Sequence, residues 1–154
     1  MKKNNSTIKN QATPILLSLF SAGLAGCSSN TTVAPTTVSG TAVKGLLKNA
    51  EAFVDTDGDG AWTSGVDSDK VRTAEDGSFS IVTDLTGDIV VQTDEITIDA
   101  SSGAVLAGIT MSAMAGSSVV SVATTITNEL VDAATTAGNT LSQADAESQV
   151  KAIL

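Results

Sequence analysis

Between residues 38 and 98, apolar and polar residues alternate with a period of two, and turns rich in Gly and Asp separate the alternating segments. Period two places apolar side chains on one face of an extended strand, so these segments predict β-strands. They comprise residues 39–43, residues 50–55, and the pairs Phe79 and Ile81, Ile89 and Val91, and Ile96 and Ile98. We therefore expect a mainly β fold, a small sandwich of about six or seven strands.

The last third of the chain changes to a helical pattern. Apolar residues recur every three or four positions from Val119 to Ala134, and Gly138 ends this pattern. Ser142 begins a second pattern with the features of a capping box, and that pattern stops at Leu154 without a C-terminal cap. We expect a β module over residues 38–118 and a helical hairpin over 119–154, truncated at its end. The helices either cover the sheet or bind a partner.

Composition excludes several functions. The chain of 154 residues has no His and one Cys, so it cannot build a Ser-His-Asp or Cys-His nucleophile or a typical zinc site. It carries 17 Asp+Glu against 8 Lys+Arg, a net charge of −9 that opposes nucleic-acid binding. The carboxylates cluster in one turn without a pocket-forming domain, which disfavours a glycosidase pair. We expect no catalytic residues and no enzymatic activity.

The N-terminus has the pattern of a signal peptide over residues 1–26. Lys2, Lys3 and Lys9 precede an apolar run that begins at Ile15. The run is about a dozen residues long, whereas a transmembrane helix needs roughly 20. The pattern therefore predicts a cleaved signal and not a permanent span.

The tetrad Leu-Ala-Gly-Cys that ends at Cys27 resembles the lipobox of bacterial lipoproteins. The resemblance implies a covalent lipid on the Cys27 thiol, cleavage before it, and attachment to the membrane. Two or three acyl chains would give a lasting anchor. A disulfide is the alternative, but a lone Cys has no partner within the chain. The residue after Cys27 is Ser28 and not Asp, which by the same resemblance implies location in the bacterial outer membrane. Residues 27–37 are rich in Thr and Ser, so we expect a flexible tether there.

A second resemblance covers residues 38–83. The resemblance is to the prealbumin-like modules of bacterial surface proteins, the carboxypeptidase-regulatory-like and Cna-B-like repeats. It rests on the order and spacing of four segments, residues 38–45, 47–55, 57–60 and 73–79. The resemblance implies a non-catalytic β-sandwich that serves as a spacer, a scaffold or an adhesion module. Its partner would be a protein or a carbohydrate.

One segment, which we name the acidic loop (residues 55–67), is a candidate metal site. Its opening Asp-Thr-Asp-Gly-Asp-Gly matches the start of an oxygen-ligand calcium loop. That pattern predicts calcium ligands from the carboxylates of Asp55, Asp57 and Asp59 and the carbonyl of Ala61. Val66 occupies the twelfth position, where a bidentate Glu is usual, so Asp67 would have to substitute for it. A turn that needs no metal fits equally well.

Trp62 lies inside the acidic loop and is the only Trp in the chain. It either covers one end of the sandwich or stacks on a sugar ring. Two functions fit the sequence. The first is a surface-anchored lipoprotein that carries a structural, adhesion or binding module stabilised by calcium. The second is the N-terminal anchoring region of a longer secreted hydrolase or adhesin.

Overall fold

The structure is a computed structural model that describes residues 34–154; the predicted signal peptide, Cys27 and most of the tether lie outside the described residues. The described residues belong to one compact unit. Its strands and helices are, in chain order, β1 (Thr36–Val43), β2 (Leu47–Lys48), β3 (Glu51–Asp55), β4 (Val71–Arg72), β5 (Ser78–Thr83), β6 (Asp88–Gln92), β7 (Ile98–Asp99), β8 (Thr110–Ala113), β9 (Val119–Ser121), α1 (Val122–Thr136) and α2 (Gln143–Ile153).

Two larger sheets form a β-sandwich, with strand orders β5-β1-β9 and β4-β3-β6-β8. Neighbouring strands are antiparallel except β1 and β9, which are parallel. A short ribbon of β2 and β7 completes the strand pairing among the described residues. The shared core draws apolar side chains from both sheets, including Ala42, Ile81, Val91, Met111 and Val120. The predicted fold class, a mainly β sandwich followed by a helical pair, is confirmed.

The alternating patterns correspond to real strands in four cases. Residues 39–43 lie in β1, residues 50–55 overlap β3, and the pairs starting at Phe79 and Ile89 lie in β5 and β6. In β5 the burial itself alternates, since Phe79 and Ile81 are buried while Val82 is 68% exposed. This alternation is what one buried face of a sheet requires.

The predicted strand through Ile96 and Ile98 is largely wrong. Only Ile98–Asp99 is extended, and Ile96 is 57% exposed in a turn. The carboxylate of Asp94 accepts hydrogen bonds from the Ile96 amide and the Thr97 hydroxyl, at 3.1 and 3.0 Å. Such side-chain acceptors favour a turn over a continuous strand.

The helical pattern starts three residues later than predicted. Val119–Ser121 forms β9, and Val120 is fully buried in the shared core. Ser121 then caps α1, because its side chain accepts from the Thr124 amide while Thr124 reaches back to the Ser121 amide. The stretch 101–118, for which the sequence predicts no element, contributes β8 to the larger sheet.

The two helices pack against each other, and α1 also packs against β8 and β9. Gly138 ends the first helical segment with a φ of 74°, as predicted. Ser142 caps α2 by accepting from the Asp145 amide, but the Asp145 carboxylate accepts from the Ser142 hydroxyl and does not complete the predicted capping box. Within residues 34–154, neither helix is long and apolar enough to cross a membrane.

The sheet that contains β3 and β6 is covered on both faces. Phe53 and Val90 are cross-strand partners that point away from the shared core, yet they are 0% and 1% exposed. We call this side of the sheet the outer face. The acidic loop and α1 both line a cavity on this face, together with Val90. The acidic loop is therefore part of a third layer and not a projecting turn.

Candidate metal centre

The first half of the acidic loop curls around the carboxylate of Asp55, the last residue of β3. The Gly58 amide donates to Asp55 Oδ1 and the Gly60 amide donates to Asp55 Oδ2, each at 2.8 Å. Both glycines have positive φ, 75° and 73°, a conformation that side chains with a Cβ rarely adopt. The Asp-x-x-Gly-x-Gly spacing therefore produces the observed turn directly.

The second half of the loop is held by Asp67, which is 7% exposed. Its Oδ1 accepts from the Thr56 amide at 2.9 Å, and its Oδ2 accepts from the Thr63 amide at 2.7 Å. The next residue, Ser68, returns to β3 by accepting from the Val54 amide at 2.8 Å. Asp67 thus ties both ends of the loop together at its base.

Three carboxylates converge at the mouth of the loop. One oxygen each from Asp55, Asp57 and Asp59 can be chosen so that all three lie within 4.8 Å of one another. Calcium–oxygen distances are about 2.3–2.6 Å, so two ligands on opposite sides of the ion are about 5 Å apart. The three oxygens can therefore share one cation. Asp55 is 3% exposed, whereas Asp57 and Asp59 are open to solvent.

The electrostatics at Asp57 disfavour its negative charge in the absence of a cation. Desolvation and then the negative charge of Asp59 raise the pKa of Asp57 above its ordinary value of 3.8, and the charge of Asp67 acts in the same direction. A raised carboxyl pKa means that the charged form is disfavoured at this position. A bound cation would reverse that effect, because it favours the ionised form of every ligand.

The other two predicted ligands, Asp67 and Ala61, form hydrogen bonds within the loop. Asp67, like Asp55, uses both oxygens to accept backbone amides and so positions the loop. It lies outside the group of three carboxylates whose oxygens converge, and its direct ligand role stays a prediction. The Ala61 amide donates to Asp59 Oδ1 at 2.7 Å, which orients that carboxylate, and ligation by the Ala61 carbonyl likewise stays a prediction. Val66, at the twelfth position, is 38% exposed.

Trp62 is half-buried against the base of the acidic loop. Its indole Nε1 donates to the Ser68 carbonyl at 2.9 Å. The Lys70 ammonium lies 4.6 Å from the ring centroid and also pairs with Glu51 at 2.8 Å. Lys70 therefore already occupies one side of the ring, in a cation–π arrangement. These contacts give Trp62 a structural role in holding the loop to the sheet.

The structure adds neighbours that the sequence did not reveal. A cavity of about 110 Å³ separates the acidic loop from α1. We call it the acidic cavity, and its carboxylate lining is Asp55, Asp59, Asp88, Glu129 and Asp132. Asp55 and Asp88 face each other across β3 and β6. Glu129 and Asp132 are visible as an i, i+3 acidic pair on a helix, but no sequence signal places them opposite the loop.

Comparisons with family models, with curated proteins and with solved structures find no significant match to this chain.

Proposed function

We propose that this protein is a lipid-anchored envelope protein whose β-sandwich is a non-catalytic structural or binding module stabilised by calcium. One observation carries the proposal: carboxylate oxygens of Asp55, Asp57 and Asp59 lie within 4.8 Å of one another in a loop whose backbone is already organised by hydrogen bonds. The resemblances to lipoproteins and to prealbumin-like surface modules support the location and the class of function.

Calcium fits this loop better than magnesium does. Magnesium needs a near-ideal octahedron at about 2.0–2.1 Å and gives up water reluctantly, whereas calcium accepts variable geometry with carboxylate, carbonyl and water ligands. Asp57 and Asp59 lie on the open side of the loop, so solvent can complete the coordination. A site with three carboxylates and no bidentate Glu at position twelve belongs to the weak, extracellular class.

The expected benefit is stability of the folded state. A ligand that binds only the folded protein adds RT ln(1 + [L]/Kd) to the free energy of unfolding. With a Kd of about 0.1 mM, free calcium at about 1 mM adds roughly 1.4 kcal/mol. For a domain of this size the melting temperature should rise by about 4–8 °C. Magnesium at the same concentration should raise it much less.

Terbium luminescence provides a direct test of binding. Terbium replaces calcium at oxygen sites and emits when a nearby indole transfers energy to it. Trp62 is the only Trp in the chain and lies inside the acidic loop, so sensitised emission reports this loop alone. We expect emission that calcium displaces, together with the melting shift. Asp59→Ala should remove most of both, because losing one of three carboxylates weakens the charge that offsets dehydration of the ion.

The matched control is Asp84→Ala, which removes the same charge from an exposed position outside the acidic loop. It should leave emission and the calcium shift unchanged. If the wild type and Asp59→Ala melt alike in EDTA, calcium and magnesium, and neither sensitises terbium, the acidic loop is a turn without a metal.

The lipid anchor has its own test. Cys27→Ser removes the only thiol in the chain, so labelling with palmitate should be lost and the protein should remain uncleaved or become soluble. Cell fractionation with labelled palmitate measures both. A variant that still incorporates the label and stays with the membrane would refute the anchor.

A further inference from the structure

The outer strands of the two larger sheets are β4, β5, β8 and β9, and three of them are protected from pairing with another strand. Strand β8 is covered by α1, where the Thr125 hydroxyl accepts from the Ser112 amide at 2.9 Å. Strand β4 is two residues long and includes the charged Arg72. Strand β9 is three residues long and contacts β8. Short length, charge and a covering element are the usual protections of an outer strand.

Strand β5 has none of these protections. It is six residues long, Ser78–Thr83, and contains neither a charged residue nor Pro. It pairs with β1 on one side, and among residues 34–154 no strand pairs with its other side. Ser80 is exposed, and Val82 is 68% exposed. Strand β5 is therefore the longest open edge of the described sandwich.

The hydrogen bonds at the start of β5 show which backbone groups point outward. The Gly77 carbonyl accepts from the Ala42 amide of β1 at 2.9 Å, so the next residue, Ser78, points its backbone groups away from β1. This direction alternates along an antiparallel strand, so Ser80 and Val82 also point their amides and carbonyls away from β1. Within the described part of the chain, these groups of Ser80 and Val82 have no hydrogen-bond partner.

We propose that β5 pairs with β5 of a second copy of this chain, antiparallel about a twofold axis, so that one sheet continues across two copies. A second copy presents the same unpaired amides and carbonyls on a strand that is already extended. A disordered peptide would first have to lose conformational entropy to become a strand. The inference depends on neither the calcium site nor the lipid anchor.

Contacts already present in the structure select one register for this pairing. Opposing Ser80 to Ser80 of the second copy would require Ser78 as a partner, but the Ser78 carbonyl already accepts an amide of its own chain at 2.8 Å. That register would also place Asp84 opposite Asp76, and like charges directly opposite each other are destabilising. Opposing Ser80 to Val82 avoids both problems and pairs both open residues of each strand.

The net charge of the chain opposes this association, although the edge itself is uncharged. Each copy carries a formal charge of −9, and salt screens the repulsion between two copies. The dimer should therefore form more readily as the salt concentration rises, whereas an association held by opposite charges would weaken. An interface of one strand pair belongs to the small and transient class, so it is best trapped covalently.

Disulfide trapping tests the register. Directly opposed residues of a hydrogen-bonded pair have Cα atoms about 5.5 Å apart, which a disulfide can span. Cells would produce full-length Ser80→Cys and Val82→Cys with different tags, and non-reducing electrophoresis would detect the linked dimer. We expect about fivefold more dimer from the mixture than from either variant alone, because identical positions lie farther apart than opposed ones.

Two controls set the background of this measurement. The mixture of Ile96→Cys and Val105→Cys places thiols at positions that are 57% and 59% exposed but lie outside β5. The wild type reports any contribution from Cys27. Both should give no more dimer than the single variants. Equal amounts of dimer in the β5 mixture and in these controls would overturn the inference.

A second variant tests the edge without a new thiol. Val82→Pro removes an amide that points away from β1, so the pairing of β5 with β1 is kept while the approach of another strand is blocked. Val82→Thr keeps the amide and is the control. Light scattering on the full-length chain in detergent should show wild type and Val82→Thr dimerising increasingly with salt, and Val82→Pro at least about tenfold more weakly.

Dimerisation of Val82→Pro equal to that of wild type at every salt concentration would overturn the inference. If Val82→Pro does not fold, the disulfide measurement decides alone. Cross-links from the engineered thiols to a different protein, with none between two copies, would show that a foreign strand occupies the edge and would also overturn the proposal.

Discussion

The two faces of the β3–β6 sheet are stabilised in different ways. Its inner face contributes Ala52, Val54 and Val91 to an apolar core shared with the opposite sheet. Its outer face buries Phe53 and Val90, but the layer above them is fastened by hydrogen bonds to Asp88 and Gln92 and contains clustered carboxylates. Apolar burial involves no charge that a bound cation could neutralise, whereas a layer that contains charged groups responds to one. We therefore expect the contribution of the inner core to stability to be the same with and without calcium, and that of the outer layer to depend on calcium.

The largest effect should come from the inner core. Ile81 is 1% exposed, and Ile81→Ala should lower the free energy of unfolding by about 2–5 kcal/mol through lost burial and a cavity. Urea unfolding should give the same loss in EDTA and in calcium, because Ile81 packs in the apolar core and belongs to the sheet that does not carry the acidic loop. Val82→Ala, on the exposed side of the same strand, should change stability by less than about 0.5 kcal/mol. If the loss of unfolding free energy in Ile81→Ala differed between EDTA and calcium, the two faces of the sheet would not be independent.

The next effect should come from the outer layer. Asn128→Ala removes the donor to Asp88 and Ser112 and should cost about 1–3 kcal/mol. Unlike the core variant, it should act mainly on α1, so exchange should accelerate in α1 amides while β5 and β6 amides stay protected. Hydrogen–deuterium exchange resolved by segment measures this difference. Uniform acceleration across strands and helix would show that the helix and the sandwich unfold as one unit.

The same contrast explains which elements the sequence predicts. Strands β1, β3, β5 and β6 carry a period-two pattern because one face of each packs in the shared core. Strand β8 has the sequence Thr-Met-Ser-Ala, which lacks a run of large apolar residues, and β9 continues directly into α1. The apolar residues Val119 and Val122 fit a helical spacing even though a strand ends between them. Only the pairing with β1, far away in the sequence, makes residues 119–121 extended.

The candidate site divides in a similar way. Asp55, Asp57 and Asp59 are close in sequence, and the local Gly turns bring their oxygens together, so motif spacing is sufficient to find them. The positioning role of Asp67 depends on its contacts with the Thr56 and Thr63 amides, which the calcium-loop pattern does not contain. Asp88, Glu129 and Asp132 reach the site through strand pairing and helix packing. No sequence pattern places these three residues near the acidic loop, because only long-range contacts bring them there.

The smallest predicted effect changes sign with calcium. Because the pKa of Asp57 is raised, the folded state binds its proton more tightly than the unfolded state, and ionisation of Asp57 lowers stability as pH rises above 3.8. Asp57→Asn removes this effect, so at pH 7 in EDTA the variant should melt at a higher temperature than wild type. In calcium the order should reverse, since the variant lacks one ligand carboxylate.

Melting curves in EDTA between about pH 3 and pH 8 test the cause of this effect. Hydrogen bonds from Lys48, Ser78 and Ser101 lower the pKa of the Glu75, Asp76 and Asp99 carboxyls. Protonation of these carboxyls at low pH destabilises the wild type and the variant equally. Their contribution therefore cancels when the two melting temperatures are subtracted. The advantage of Asp57→Asn should therefore shrink as pH falls and Asp57 of the wild type takes up its proton. A difference that is independent of pH would mean that the substitution acts through loop conformation. A lower melting temperature in EDTA at every pH would mean that the Asp57 carboxylate stabilises the loop without a cation, and that the acidic loop is not poised to bind one.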